Sequence, residues 1–308
     1  MTLLAPTHGE SGATLAALEP LVPVARRWPA LLGATLTVAM VAGLLWQLFH
    51  RGLAELSRSV PDSPLFYLCF GLFYMTLPAF DFLIFRHLWK IPIGGLAALT
   101  KKRIANDVVV NYSGEAYFYS WARSHARLVA APFGAIKDVS ILSAIAGNAL
   151  TLTMIAVALP LGRHLLTPDQ FRTGLWSTAI LLAISLPFLL FSRRVFSLPR
   201  RALWTVFGLH CVRVVISSGL VALAWHFAMP AVGYGIWLLL VAGRMLVSRL
   251  PLVPNKELLF FTFANALIGG RETLVALLAF CAALTLVINA ALILAFALHA
   301  VLTRGKPW

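Results

Sequence analysis

The chain is poor in acidic residues, cysteines and enzyme motifs. It has 11 Asp and Glu against 25 Lys and Arg in 308 residues, which gives a formal net charge of +14. Its three cysteines, Cys69, Cys211 and Cys281, all lie in apolar segments, form no CxxC pair and imply no disulfide framework. It contains no Gly-x-Ser-x-Gly, no His-Glu-x-x-His, no P-loop and no dinucleotide fingerprint. We therefore expect no cofactor and no metal site, and we assign no catalytic residue.

The chain is instead rich in hydrophobic residues. Hydrophobic residues make up 60% of it, and its mean hydropathy is +0.86. Soluble domains are nearer about 45–50% apolar, so an ordinary soluble domain is excluded. The basic residues lie between apolar segments rather than on one soluble face, which favours contact with anionic lipid head groups over nucleic acid. The composition predicts an all-α, polytopic membrane protein.

The apolar segments predict about seven to eight membrane helices, because a span needs about 20 mostly apolar residues. We predict a polar N-terminal tail over residues 1–28 and a single transmembrane domain over 29–303. The expected spans and short apolar pieces are 29–49, 64–85, 138–161, 174–192, 203–229, 235–247, 258–268 and 273–302.

Two basic segments predict the orientation. Segments 86–137 and 193–201, which we interpret as loops, carry more Lys and Arg than the loops on the opposite side, around residues 51–58 and 163–172. The positive-inside rule then places both basic segments, and the N- and C-termini, on the cytoplasmic side of the cell (inner) membrane. Arg58 and Arg172 are expected outside.

The stretch 104–121 is apolar enough to enter a bilayer and too polar to cross one. We predict two half-helices that meet near Ser113 and Gly114, dip into the membrane and return, because polar backbone survives there only inside protein or a wet cavity. The alternative is an amphipathic helix on the membrane surface. The polar residues that interrupt the stretch are Asn106, Asp107, Asn111 and Glu115.

A second interruption falls near 249–257, where Pro251 and Pro254 separate two short apolar pieces. The chain then divides into half A, about 64–162 with its break near 111–115, and half B, about 203–302 with its break near 249–257. A matching pair of broken segments is typical of transporters with inverted repeats and a binding site between the halves. We therefore expect two re-entrant or broken segments and an inverted repeat.

Four short motifs resemble those of a known family. They are Leu-Trp-Lys at 88–90, Asn-Tyr-Ser-Gly-Glu at 111–115, Trp-Ala-Arg at 121–123 and Ser-Arg-Leu-Pro-Leu-Val-Pro-Asn-Lys-Glu at 248–257. Together they resemble the transmembrane region of lysylphosphatidylglycerol synthases, which stand-alone flippase-like membrane proteins share. The sequence departs from that pattern in having no Pro before Ser113 and no glycines after Pro254. The resemblance implies a lipid-handling protein without the soluble aminoacyl-transferase domain.

Two arginines fall within apolar segments. Arg213 lies near the middle of the predicted span 203–229, where a charge costs about 2.5–3.5 kcal/mol, so it should face the interior or water. His210 shares its helical face. Arg244 lies in the short piece 235–247. We predict that these guanidinium groups hold a lipid phosphate; the alternative is an internal ion pair with an acid such as Asp81.

Acids and an amide lie at the two breaks. Glu115 and Asn111 belong to the first and Glu257 to the second. Acids in broken membrane helices pair with a substrate amine, a proton or a basic side chain, so we include all three residues among the candidate substrate-binding residues. A salt bridge to a neighbouring arginine is the alternative for the two acids.

The function expected from these features is a flippase-like lipid transporter or lipid-trafficking protein. It would bind an anionic lipid head group in a cavity between the two halves. The alternatives are a membrane-embedded transferase acting on a lipid-linked substrate and a non-transporting accessory subunit of lipid biosynthesis. The expected partners are membrane phospholipids or a lipid-linked substrate, with lipid-biosynthesis proteins. The sequence leans away from an enzyme, because its predicted cytoplasmic loops are almost purely basic, and it leaves the oligomeric state open.

Overall fold

The computed structural model describes residues 60–109, 112–125, 133–161, 196–249 and 271–302, with isolated positions between them. Within these ranges the chain forms helices and no strand, which confirms the predicted all-α class. Seven helices are present there: α1 Pro64–Trp89, α2 Gly94–Val108, α3 Ser113–His125, α4 Phe133–Leu161, α5 Arg200–Ala228, α6 Tyr234–Arg249 and α7 Arg271–Leu302.

Four of the described helices are long and apolar enough to cross a membrane. Their candidate spans are Pro64–Trp89, Phe133–Met154, Arg200–Ala228 and Ala276–His299. The protein is therefore an α-helical membrane protein, but four candidate spans do not support the predicted count of seven to eight membrane helices. The predicted spans 29–49 and 174–192 and the predicted break near 249–257 lie almost wholly outside the described residues.

Helix α1 has well-defined ends and one interior interruption. Pro64 occupies its first turn, where the missing backbone N–H is not needed. It ends at Lys90, which adopts a left-handed conformation with φ 52° and donates its backbone N–H to the Arg86 carbonyl over 2.9 Å. Pro78 lies inside the helix and cannot donate the hydrogen bond expected at that turn.

Helices α1, α4 and α5 form the centre of the described bundle. The first turns of α1 (Phe66, Phe70) share one buried cluster with Trp225 near the end of α5, while Phe85 near the end of α1 shares another with Val206 near the start of α5. The two helices are therefore antiparallel. Helix α4 begins in the second cluster and packs along α5, and α6 packs against both.

The segment 86–137 is not the loop that the sequence predicted. Helices α2 and α3 pack against each other as a helical hairpin. Near its base, Phe118 of α3 lies 4.6 Å from Phe85 of α1 between ring centroids. Near its tip, the buried cluster of α2 contacts the middle of α7. That cluster is Ile104, Ala105 and Val108, and its α7 neighbours are Leu286, Ala290, Leu292, Ile293 and Phe296.

Helix α2 ends at Val108 and α3 begins at Ser113, so Ser113 and Gly114, where we predicted the junction of two half-helices, lie in the first turn of α3. Tyr112 has φ 70°, in the left-handed region. The two helices approach so closely at Gly114 that a Cβ there would lie 2.0 Å from the Lys102 carbonyl oxygen. A glycine is therefore required where the hairpin closes.

Candidate site in two cavities between the halves

A buried ion cluster joins the first three helices. The Nζ atom of Lys102 on α2 lies 2.7 Å from Oδ2 of Asp81 on α1 and 3.4 Å from Oε1 of Glu115 on α3. The side chains of Lys102 and Asp81 are 9% and 5% exposed. Burial alone would lower the pKa of Lys102, but the two carboxylates outweigh it and raise that pKa, so the ammonium group stays charged.

Asn106 fixes the geometry around Glu115. Its Nδ2 atom donates to Oε2 of Glu115 over 3.0 Å, and its Oδ1 atom accepts the backbone N–H of Gly114 over 2.7 Å. The Ser113 hydroxyl donates to the Ala105 carbonyl over 2.9 Å. The bond to Asn106 Oδ1 satisfies the Gly114 N–H in the first turn of α3, and the bond from Asn106 Nδ2 orients the Glu115 carboxylate beside Lys102.

Arg213 differs from this cluster in its partners. Its Nη2 atom donates to the Ser143 hydroxyl of α4 over 3.0 Å. Among the described residues its buried Nε atom has no hydrogen-bond partner, and no carboxylate lies within 4.0 Å of its guanidinium nitrogens. The carboxylate of Asp81, a predicted alternative partner, is engaged by Lys102 instead.

The first of two neighbouring cavities, here the polar cavity, has a volume of about 310 Å³. Its lining combines the ion cluster with the polar face of α5 and the hydroxyls of α4. His210, one turn before Arg213, is fully buried against it. The charged and ring side chains around it are Asp81, Lys102, Arg103, Tyr112, Glu115, His210 and Arg213.

The second, here the apolar cavity, has a volume of about 330 Å³ and opens mainly onto hydrocarbon side chains, including Phe73, Val221 and Met245. Arg213 and Arg244 both line it. Its walls come from α1, α2, α5 and α6, which belong to the segments that the sequence analysis assigned to half A and half B. The Arg244 guanidinium also faces the Trp225 ring, 5.9 Å from the centroid.

The two cavities meet at a junction. Leu77, Arg103 and Arg213 belong to the linings of both. A cation at a boundary between a polar and an apolar space suits the phosphate of an amphiphile, whose head group and chain need different surroundings. This junction is the feature around which the candidate site is built.

The structure brings together four of the six predicted site residues. Glu115, His210 and Arg213 line the polar cavity, and Arg213 and Arg244 the apolar one. Of the alternatives, Glu115 has its salt bridge with Lys102, a lysine rather than an arginine. Asn111 and Glu257 lie outside the described residues.

The sequence analysis missed Lys102, Arg103 and Asn106 as site residues. A signal for Lys102 existed: it lies four residues after Ala98 and three before Ala105, both fully or nearly fully buried. That spacing puts the lysine on the apolar stripe of α2. Its position within a basic run concealed this.

No family model, curated protein or solved structure matches the chain. The fold and the candidate spans define the class, an α-helical membrane protein. The family resemblance therefore stays a prediction, and what the site does rests on its own chemistry.

Proposed function

We propose that this protein binds the anionic head group of a membrane lipid between its two halves and acts as a flippase-like lipid transporter or lipid-trafficking protein. The observation that carries the proposal is Arg213. Its guanidinium lies at the middle of the 29-residue helix α5, a candidate span, and is hydrogen-bonded to a hydroxyl rather than paired with a described carboxylate. A partly buried cation within a candidate span requires compensation, and a phosphate supplies it with charge-assisted hydrogen bonds.

The adjoining apolar cavity supports a lipid rather than a soluble anion. It begins at Arg213 and extends along hydrocarbon side chains of α1, α5 and α6. A phosphate bound at Arg213 would place the rest of a lipid against these side chains, where burial of each CH₂ group contributes about 0.8 kcal/mol. A free inorganic ion would gain nothing there.

In this proposal the α2–α3 hairpin is a re-entrant element. Its tip packs against the middle of α7, a candidate span, and both of its helices pack on the bundle. A helical hairpin that enters and returns on one side supplies the first broken segment of a transporter with inverted repeats. The second broken segment would be supplied by residues near 249–257, and the full protein would reach the predicted seven to eight membrane helices. The resemblance to the flippase-like family agrees with this architecture.

The proposed orientation places the basic end of the described bundle in the cytoplasm of the cell membrane. Arg86 and Lys90 at the end of α1 lie at the same end of the bundle as Arg200 and Arg201 at the start of α5, because those helices are antiparallel. Positive charge at one end attracts anionic lipids and sets topology. Both termini would be cytoplasmic.

Lipid movement in reconstituted vesicles tests the transport proposal. The protein is incorporated into vesicles containing a fluorescent phosphatidylglycerol, and a membrane-impermeant reductant reports the fraction of that lipid reaching the outer leaflet. We expect faster exchange with the wild-type protein than in empty vesicles, a rate near that of empty vesicles with Arg213→Gln, and a wild-type rate with the exposed control Arg172→Gln. Equal rates for wild-type and empty vesicles would contradict transport; retained lipid binding in that case would instead favour the accessory-subunit alternative.

A further inference from the structure

Arg103 occupies the junction of the two cavities without having been predicted as a site residue. It lies on α2, one residue after Lys102, and its side chain is 11% exposed. Unlike Lys102 it has no buried carboxylate: its acid neighbour is Asp107, whose Oδ2 lies 3.4 Å from the Arg103 Nε atom and whose side chain is 38% exposed. Arg103 and Arg213 are the two charged residues common to both linings.

Tyr74 of α1 makes two contacts with Arg103. An Nη1 N–H of Arg103 donates to the Tyr74 backbone carbonyl, and the Arg103 guanidinium carbon lies 3.9 Å from the centroid of the Tyr74 ring. The ring itself is held in place, because its hydroxyl donates to the Asn289 side chain on α7. Tyr74 therefore supplies both a carbonyl and a π face to one guanidinium group.

That carbonyl is available because of Pro78. In an α-helix the carbonyl of residue i accepts the N–H of residue i+4, and the residue four after Tyr74 is a proline inside α1. The proline has no N–H to donate, so the Tyr74 carbonyl is left for Arg103. The proline inside the candidate span thus leaves a backbone acceptor for the arginine.

We propose that Arg103 is a second phosphate ligand of the site, held at the junction by Tyr74 and Asp107 until a lipid phosphate replaces those contacts. This inference rests on the proposed function. It adds Arg103 to the site, in a ligand-free state with Tyr74 and Asp107 as its partners and in a bound state with the lipid phosphate. With Arg213 across the junction, Arg103 forms a pair of guanidinium groups from α2 and α5. Two guanidinium forks match the oxygens of one phosphodiester better than a single cation.

The contacts of Arg103 with Tyr74 and Asp107 lower the affinity for the lipid. Each contact must break when the phosphate binds, so weakening one of them strengthens lipid binding. Asp107→Asn removes the competing charge, and Pro78→Ala returns an N–H to the Tyr74 carbonyl. Both variants leave the two arginines unchanged, which separates this proposal from one in which Arg103 only holds α1 and α2 together.

The test measures binding of a short-chain phosphatidylglycerol to the full-length protein in detergent, with short-chain phosphatidylcholine and inorganic phosphate as comparison ligands. We expect Arg103→Gln to weaken phosphatidylglycerol binding about tenfold or more, as loss of a charged hydrogen bond does. Asp107→Asn should strengthen it about two- to fivefold. Arg172→Gln, the same charge change on an exposed residue outside both cavities and outside the two basic segments, should leave it unchanged.

The outcomes are distinguishable. If Arg213→Gln weakens binding and Arg103→Gln and Asp107→Asn do not change it, the role of Arg103 is wrong and the proposed function stands. If neither Arg103→Gln nor Arg213→Gln changes phosphatidylglycerol binding, both the role of Arg103 and the proposed function are wrong. Binding of inorganic phosphate as tight as that of the lipid would overturn the lipid assignment. If Arg103→Gln does not fold, Arg103→Lys keeps the charge, removes the fork and should weaken lipid binding in the same direction.

Discussion

Lys102 and Asp81 form an ion pair inside the bundle, with Nζ and Oδ2 2.7 Å apart and both side chains nearly inaccessible. The pair links α2 to α1. Glu115 of α3 also contacts this lysine, with 3.4 Å between its Oε1 atom and Nζ of Lys102. Neither Arg103 nor Arg213 belongs to this cluster, and we propose these two arginines as the phosphate ligands. Its consequences for stability can be tested separately from function.

Removing the cation alone should be more damaging than removing the pair. Lys102→Met leaves the buried Asp81 and the partly buried Glu115 without their cation, and breaking a buried pair in this way costs about 3–5 kcal/mol. The combination of Lys102→Met with Asp81→Asn should recover much of the loss. Thermal unfolding of the detergent-solubilised protein measures both. An unfolding temperature for Lys102→Met equal to that of the wild type would show that the hairpin does not depend on this cluster.

Closure of the hairpin should depend on Gly114. Gly114→Ala places a methyl group on the Lys102 carbonyl, with 2.0 Å between the carbon and the oxygen, so α2 and α3 must separate. Gly208→Ala on α5 is the matched control, because its Cβ would meet nothing within 4 Å and alanine is the better helix former by about 1 kcal/mol. We expect the first substitution to lower the unfolding temperature and the second to keep or raise it. The same stability for both variants would refute the close approach.

The helices themselves could be predicted from local signals. Apolar length identified α1, α4, α5 and α7, and the polar interruption identified the break between α2 and α3. The contact partners of Lys101, Lys102 and Arg103 could not be predicted in this way. Three consecutive cations read as a solvated loop, yet each lies about 100° further around the helix than the one before.

Tertiary packing gives those three cations different surroundings. Lys101 faces the Phe296 ring of α7 at 4.9 Å, Lys102 meets Asp81, and Arg103 meets Tyr74. Which neighbour each one meets depends on how the hairpin packs on α1 and α7, which no pattern within α2 contains. Arg213 was recognisable because its neighbours in sequence are apolar. Its hydroxyl partner on α4 was not.

The basic end of the bundle, which contains Arg86, Arg200 and Arg201, is expected on the cytoplasmic side of the membrane. Single cysteines are introduced in a background without Cys69, Cys211 and Cys281 and labelled with an impermeant reagent. A cysteine at position 200 should react only after the cytoplasmic side is exposed, and one at position 172 from the outside. Reaction of position 200 in intact cells would reverse the orientation, and with it the side from which the hairpin enters.

We propose above all that a lipid phosphate occupies the junction between the polar and apolar cavities. A phosphatidylglycerol carrying a photoreactive group beside its phosphate tests this most directly, with the crosslinked peptides identified by mass spectrometry. We expect crosslinks to the cavity walls on either side of the junction, around Ser143 of α4 in the polar cavity and Ser217 of α5 in the apolar one, that excess unlabelled phosphatidylglycerol suppresses and Arg213→Gln abolishes. Crosslinks confined to exposed faces such as that of Trp204, and unaffected by Arg213→Gln, would contradict it.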